Sequence, residues 1–424
     1  PPPPPPPQSP PASAAFAAFG ASEPPPPKGV TRQLDRAWRQ LARQADPEPA
    51  SEPEPALEAQ EAPEMLLSDD ASRAYQVVGL LGRGAFGQVF EVEVMGEQSF
   101  PGFEHPVGRA AIKVSSDAAA LERELAVYAR PERGLMRLLD AGHIQDGRRF
   151  LVLEKLHPHP QGRYSRVGKP RVPTDPATAI NLYVNLLATL AHLHFRREAP
   201  LVLGDVKPDN IMLRMSNREA TVDEGEYLRR IATGAWEPVL IDMGCAHDRQ
   251  ALLARGGQVD ELLGTPLYLP PESVPLLEEG QVLPGCYSDK TDVYALSLTF
   301  YELLTGDRAY SHRGLFQLSG SDLLKELLAL KRDGSVPFNR RRLYDVFHHR
   351  GQLFEELLKA GTHPDPDKRA GAVALLGEAR RRFQVVPRYV ASLGEYRWDA
   401  AKGLGLEQRL FPAIDPKKPP YPRP

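Results

Sequence analysis

Asp205, Lys207 and Asn210 stand within six positions in VLGDVKPDN, residues 202–210, directly behind an apolar run that reads as the end of a strand or helix. Buried charge is costly unless it is paired or used, so three such groups on a short turn point to work on a charged ligand. A carboxylate there can accept or orient a hydroxyl proton, a lysine can stabilise charge on a transferring phosphoryl group, and an amide can hold a metal ion. PVLIDMGCA places Asp242 at the end of a second apolar run, followed by Gly244, which permits a sharp turn. One carboxylate and one amide suit Mg2+, which takes hard oxygen ligands and phosphate oxygens rather than an all-protein cage.

Earlier in the chain, LLGRGAFGQVFEV sets Gly82, Gly84 and Gly87 between two strand-like runs, followed by Val89. Glycines there admit phosphates to the backbone amides with no Cβ in the way, and Val89 offers an apolar lid for a flat base. A glycine-rich hairpin without a ligand is the plainer alternative. A dinucleotide site would need a helix right after the glycines, whereas QVFEVEV continues as a strand. Further on, AAIKV puts Lys113 in an apolar strand, where a cation needs a charged partner. Glu124 of EREL is the expected partner and Glu122 the competitor.

The elements that must position these groups are legible from periodicity. AYQVVGLL, QVFEVEV, RAAIKV and RRFLVLEKL are alternating or β-branched and predict a small antiparallel sheet, broken by one helix in AAALERELAVYAR. Helical periodicity then predicts helices at 177–195, 290–305, 321–332, 351–360 and 371–384. A strand-rich lobe, 67–156, followed by a helix-rich lobe, 157–384, is an α+β, two-lobed arrangement. Residues 1–66, with PPPPPPP and DPEPASEPEPALEAQEAPE, cannot bury enough apolar surface to offset chain entropy and predict a disordered tail. TRQLDRAWRQLARQ within it predicts one short amphipathic helix. Its proline runs predict either a ligand for a partner's polyproline-binding groove or a solvated linker. The C-terminal tail, 385–424, carries Trp398 and is expected to pack on the lobes.

Bulk properties narrow the class. A chain of 424 residues, 42% hydrophobic, can build a sizeable core. A net charge of −3 supplies no global field for nucleic acid or an anionic membrane. Cys245 and Cys286 are too few for a disulfide framework and lack zinc spacing, which fits a cytoplasmic location. INLYVNLLATLAHLHF is too polar to span a membrane, and a soluble chain without a signal peptide is expected.

Glycine-rich loop, strand lysine, helix glutamate, catalytic loop, Asp-x-Gly and an Ala-Pro-Glu-like segment occur here in one order, and in it the chain resembles the eukaryotic-type protein kinase superfamily from about residue 72 to about 384. That resemblance implies the bilobal kinase fold and ATP-dependent phosphoryl transfer with Mg2+, or Mn2+ in its place. It implies ATP contacts from Leu81, Gly82, Gly84, Gly87, Val89 and Ala111, with Leu153, Glu154 and Leu156 lining the adenine pocket as the hinge. Lys113 would hold the α- and β-phosphates while paired with Glu124. Asp205 would be the catalytic base, and Asn210 and Asp242 the metal ligands. In GTPLYLPPE, Thr265 would support Asp205 and Lys207, and Glu272 would pair with Arg369 of DPDKRA. Asp292 of SDKTDVYALS would anchor the catalytic loop's backbone. Lys207, two places after Asp205, resembles the serine/threonine branch, so the implied substrate is a protein with a Ser or Thr acceptor. The rivals are a pseudokinase scaffold whose proline tail recruits partners, and a small-molecule kinase. Heavy Ala, Pro, Arg and Leu usage points to a GC-rich, bacterial genome.

The chain departs from the family pattern in three respects. Leu203-Gly204-Asp205 stands where His-Arg-Asp is common, and Asp242-Met243-Gly244 where Asp-Phe-Gly is. Leu203 and Met243 are expected to pack in one internal column. Gly204 removes the arginine that in the family grips a phosphate on the activation segment, and residues 243–264 contain no Ser, Thr or Tyr. That segment is therefore expected to be ordered by its own packing, with its leucines buried, and not to be switched by phosphorylation. Two inserts, 157–176 and 214–237, add length. The first carries Arg163, Arg166, Lys169 and Arg171, which either recruit an acidic substrate or are solvated. Adjacent His348 and His349 diverge on a helix and are not expected to share a metal. Cys245 is expected to be a buried filler rather than a reactive thiol.

Overall fold

The computed structural model describes residues 65–384 apart from 70–71, 85–86, 97–99, 101–106, 116, 131, 145–146, 166–169, 197, 216–221, 260–263 and 276–284. The proline-rich tail with its expected helix, the C-terminal tail, and Arg166 and Lys169 lie outside the described residues.

Six strands form one antiparallel sheet: β1 (Met65–Leu67), β2 (Ala74–Gly84), β3 (Gly87–Val94), β4 (Arg109–Val114), β5 (Leu138–His143) and β6 (Arg149–Glu154), in the order β1-β2-β3-β4-β6-β5. The sheet begins at Met65, so the boundary drawn at residue 66 falls inside its first strand. Leu66 is buried there while Met65 and Leu67 face out, enough apolar content to add an edge strand to β2. β4 is central and buried along Ala110–Val114. Successive side chains alternate between faces: Ala110, Ile112 and Val114 join Phe90, Val92, Phe150 and Val152 in a core on one face. Lys113 therefore projects from the other face. Its pairing partner Leu151 and the adjacent Leu153 pack there with Leu121 and Tyr128 of helix α1 (Ala118–Tyr128). Asp117 caps α1 by accepting from Ala120 N.

The second lobe holds α2 (Pro160–Tyr164), α3 (Pro176–Phe195), α4 (Glu224–Thr233), α5 (Arg249–Ala254), α6 (Asp289–Thr305), α7 (Gly320–Arg332), α8 (Arg340–Phe347), α9 (Gly351–Gly361) and α10 (Ala372–Phe383). The five helices expected from periodicity are α3, α6, α7, α9 and α10. α6 is buried almost all round, as the central helix of a lobe must be. A capping box from Ser288 and Thr291 starts it, and Gly306, at φ 76°, ends it. Tyr183 of α3 stacks on Phe300 of α6 with ring centroids 4.0 Å apart.

Short strands bracket the catalytic turn. β8 (Leu201–Val202) pairs with β11 (His247–Asp248), and β9 (Ile211–Met215) pairs with β7 (His157–Pro158) and β10 (Trp236–Leu240). The insert between β9 and β10 contains α4, capped by Asp223 and Gly234 and anchored by buried Tyr227. It packs on the other insert: Arg163 lies over the Tyr227 ring at 4.2 Å and donates to Glu224 at 2.6 Å. Arg171 pairs with Glu302 of α6 at 2.8 Å. Two of the four cations considered for substrate recruitment thus pair within the chain, Arg163 at the surface and Arg171 with a buried carboxylate.

Candidate active site

Asp292, fully buried on α6, accepts from the backbone amides of Leu203 and Gly204, both at 2.8 Å, and from His194 Nε2 at 2.8 Å. The catalytic turn is thereby tied to the centre of the larger lobe. Asp205 Oδ1 accepts from Thr265 N at 2.9 Å and Thr265 Oγ1 at 2.8 Å. Its Oδ2 accepts from Lys207 Nζ at 2.6 Å and Asn210 Nδ2 at 3.1 Å. Lys207 also donates to Thr265 Oγ1 at 2.8 Å. Burial works against the charge on Lys207, but the adjacent Asp205 carboxylate outweighs it and the lysine is raised above its ordinary value. Asn210 uses its amide nitrogen on Asp205 as well, on the backbone carbonyl at 2.8 Å, and its oxygen accepts no hydrogen bond among the described residues.

The second group spans the two lobes. Lys113 Nζ donates to Glu124 of α1 and to Asp242 Oδ1 at 3.0 Å. The competitor Glu122 pairs instead with Arg149. One cation thus faces two carboxylates. Burial disfavours the lysine's charge, yet Asp242 and Glu124 together raise it. The surplus is relieved at Glu124, the less solvent-exposed of the two: burial, with Asp242 beside it, pushes it up to about 8 despite Lys113, towards its protonated form. Asp242 remains below the usual range because Lys113 overrides its burial. Its φ of 63° is uncommon for a residue other than glycine, and such conformations concentrate at functional sites. Arg123 Nε donates to Gly244 O at 2.9 Å and ties α1 to the turn after Asp242, a contact the sequence did not announce.

Around this lies the expected nucleotide frame. Gly84 pairs with Gly87, Gly82 with Val89, and Val89 with Lys113, so the glycine run is a hairpin continuing into a strand. Ala111, Leu153 and Leu156 are buried and Leu81 is exposed. Glu154 carries a qualification. Its carboxylate is gripped by Arg214 at 2.9 and 2.5 Å and accepts from Arg137 N at 2.8 Å, so only its main chain is available to a ligand. Glu272 and fully buried Arg369 form a bidentate pair at 2.7 and 2.8 Å. Leu203 and Met243 are both buried in the main core. Cys245 is buried, which pushes its thiol well up and leaves it unreactive. Among the described residues no His/Cys/Asp/Glu group of metal-site size occurs, at His348 and His349 or elsewhere.

The segment after Asp242 is held by packing. His247 and Asp248 pair with Leu201 and Val202, and Asp248 caps α5. Leu252 and Val259 are buried with Val202, Leu269 and Tyr287. Leu253 is exposed, and Leu262 and Leu263 lie outside the described residues. Arg249 reaches Asp289 at 3.2 Å. Gly204 has φ +78°, and a Cβ there would lie 2.9 Å from Cys245 O; a Cβ on Gly264, at φ +97°, would lie 2.4 Å from Gly204 O. No arginine fits at position 204 without moving the backbone. Gly204→Arg is expected to cost about 2–4 kcal/mol, from the left-handed conformation and the forced overpacking, read as a lower thermal midpoint. An unchanged midpoint would show that the turn relaxes freely.

Residues 75–379 match the family model of the protein kinase domain. Similar curated proteins include a "Probable receptor-like protein kinase" of Arabidopsis thaliana, 26% identical over 58% of this chain and 32% of its own. Serine/threonine-protein kinase PknL of Mycobacterium tuberculosis is 28% identical over 59% of this chain and 51% of its own. Serine/threonine-protein kinase PrkC of Bacillus subtilis is 23% identical over 64% and 37%. The chain therefore spans about a third to a half of the length of these relatives.

Proposed function

The chain belongs to the protein kinase family, and from that premise we propose that it transfers the γ-phosphoryl group of ATP to Ser or Thr hydroxyls of protein substrates. The observation that carries this is the assembly of both charged groups without a missing member: Lys113 with Glu124 and Asp242, and Asp205 with Lys207, Asn210 and Thr265. A pseudokinase scaffold is disfavoured by that completeness. The Ser/Thr preference is supported by Lys207 and Thr265 jointly fixing Asp205, and by relatives of that description.

The residues fit a divalent metal. The partly exposed Asp242 carboxylate and the unused Asn210 oxygen are hard donors of the kind Mg2+ or Mn2+ takes. When bound, the ion would neutralise phosphate charge. The chain's own groups do the rest. Lys113 offers its ammonium to the phosphates, and Asp205, held at both oxygens, orients the acceptor hydroxyl and takes its proton. Lys207 balances charge beside the transferring group.

The test is transfer of label from ATP to a generic basic protein, with Asp205→Asn as control. Equal signals from both would favour the scaffold, and transfer only to members of a metabolite panel would favour a small-molecule kinase. Among the described residues no helix is long and apolar enough to cross a membrane. A cytoplasmic location is supported by Cys245 and Cys286, both buried and free.

Phosphorylation of the activation segment does not switch the proposed activity. Residues 243–264 hold no hydroxyl acceptor, and Gly204 offers no receptor. Phosphatase-treated protein is expected to keep its full rate. A rate that returned only after modification within 243–264 would refute this.

A further inference from the structure

The last turn of α7 holds a side chain that no motif predicts. Lys331 is 0% exposed and forms no ion pair among the described residues. Its ammonium donates to the carbonyls of Leu267, at 3.2 Å, and Leu269. It lies 5.4 Å from the ring centroids of both Tyr294 and Tyr310, whose hydroxyls are 3.1 Å apart. Burying an ammonium without a carboxylate is costly, and two carbonyl dipoles with two aromatic faces offset only part of it. A methionine would fill the same space without that cost. Such locally unfavourable choices concentrate where a fold does work.

The two carbonyls belong to GTPLYLPPE, the stretch that also supplies Thr265 to Asp205. Tyr268 N and Leu269 N both donate to Thr265 O, at 2.9 and 3.3 Å, so one tight turn joins the two functions. Its near end is anchored on Asp205 and its far end on Lys331. We propose that Lys331 is a positioning residue for the protein substrate: by holding the Leu267 and Leu269 carbonyls it sets the backbone of the substrate-docking segment, and so the affinity for acceptor, without touching the nucleotide. This deepens the protein-kinase reading and rests on it.

The charged and titratable groups facing Lys331 are Glu272, whose carboxylate is taken by Arg369, Arg369 itself, Tyr294 and Tyr310. Burial, opposed by Glu272 and reinforced by Arg369, brings the lysine down to about 7. The hold on the docking segment is therefore strongest below pH 7 and weakens as the ammonium is lost above it. Stability moves the other way. A base lowered in the folded state gives up its proton there first, so this group's contribution to stability rises as pH climbs from 7.

The experiment measures KM for a peptide acceptor, KM for ATP and kcat between pH 6 and 8.5, for wild type and Lys331→Met. At pH 6.5 the variant is expected to raise the peptide KM about tenfold, as loss of charge-assisted hydrogen bonds does, with kcat and the ATP KM within about twofold. The wild-type peptide KM should climb towards the variant's as pH rises, while the variant's stays flat. A variant with the wild-type peptide KM, or one losing kcat and both affinities together, overturns the proposal and leaves the kinase reading intact. If Lys331→Met does not fold, a wild-type peptide KM that is flat with pH overturns it. A wild type that binds ATP but phosphorylates no protein or peptide removes the kinase reading and this inference together.

Discussion

Asp205→Asn is expected to slow phosphoryl transfer about a thousandfold, inside the 10²–10⁴ range for a positioned acid–base group, while ATP affinity stays within about threefold of wild type. The substitution keeps the shape of the side chain and an oxygen that can accept from Thr265. It removes the charge that Lys207 balances and replaces an acceptor of the hydroxyl proton with an amide that cannot take it. Nothing in the Lys113 group touches Asp205 directly, which is why binding should survive. Single-turnover rates with labelled ATP, set beside calorimetric binding of a non-hydrolysable analogue, separate the two quantities. Transfer within tenfold of wild type would mean that Asp205 is not the proton acceptor.

Lys113→Met should lower kcat/KM by about 10²–10³, which at about 1.4 kcal/mol per tenfold corresponds to losing one or two charge-assisted bonds in a dry site. A second effect comes with it. Methionine leaves Glu124 and Asp242 facing one another without a cation, and breaking a buried pair from one side costs about 3–5 kcal/mol. The thermal midpoint should therefore fall together with the rate. Lys113→Arg keeps the charge and should hold the midpoint while losing activity through misplaced geometry. If the methionine variant kept both rate and midpoint, the two-carboxylate clamp would have no role in either.

Much of this site is legible in the sequence because its parts are local. A strand of period two decides on which face Lys113 must lie, and a glycine hairpin that runs into a strand cannot also start a helix. Glu124 is the expected partner of Lys113 from its place in EREL, and Arg369 that of Glu272 from the family resemblance; in the structure Lys113 donates to Glu124 and Arg369 to Glu272. What stayed hidden depends on distant partners. His194 meets Asp292 across 98 positions, and Arg123 meets Gly244 across 121, so neither carries a local signal. β5, with the sequence LLDAGH, is too short and too interrupted by Asp and Gly to show a period. α4 sits in an insert rich in Arg and Glu and is held mainly through one buried face, at Tyr227 and Arg230. Lys331 is the clearest failure of local logic: a basic residue in a helix's final turn normally signals a solvated end favoured by the dipole, and here it is interior.

The way β1 is attached has a topological consequence. Met65 pairs with Gln76, near the start of β2, whereas the glycine turn closes at Gly84, about 25 Å further along at ~3.3 Å per residue. β1 therefore braces β2 only at the end away from the glycine turn, and the outer edge of β2 from Val77 to Gly84 has no strand beside it among the described residues. A glycine hairpin held from one side alone can bend towards or away from the cleft without breaking a second row of strand hydrogen bonds.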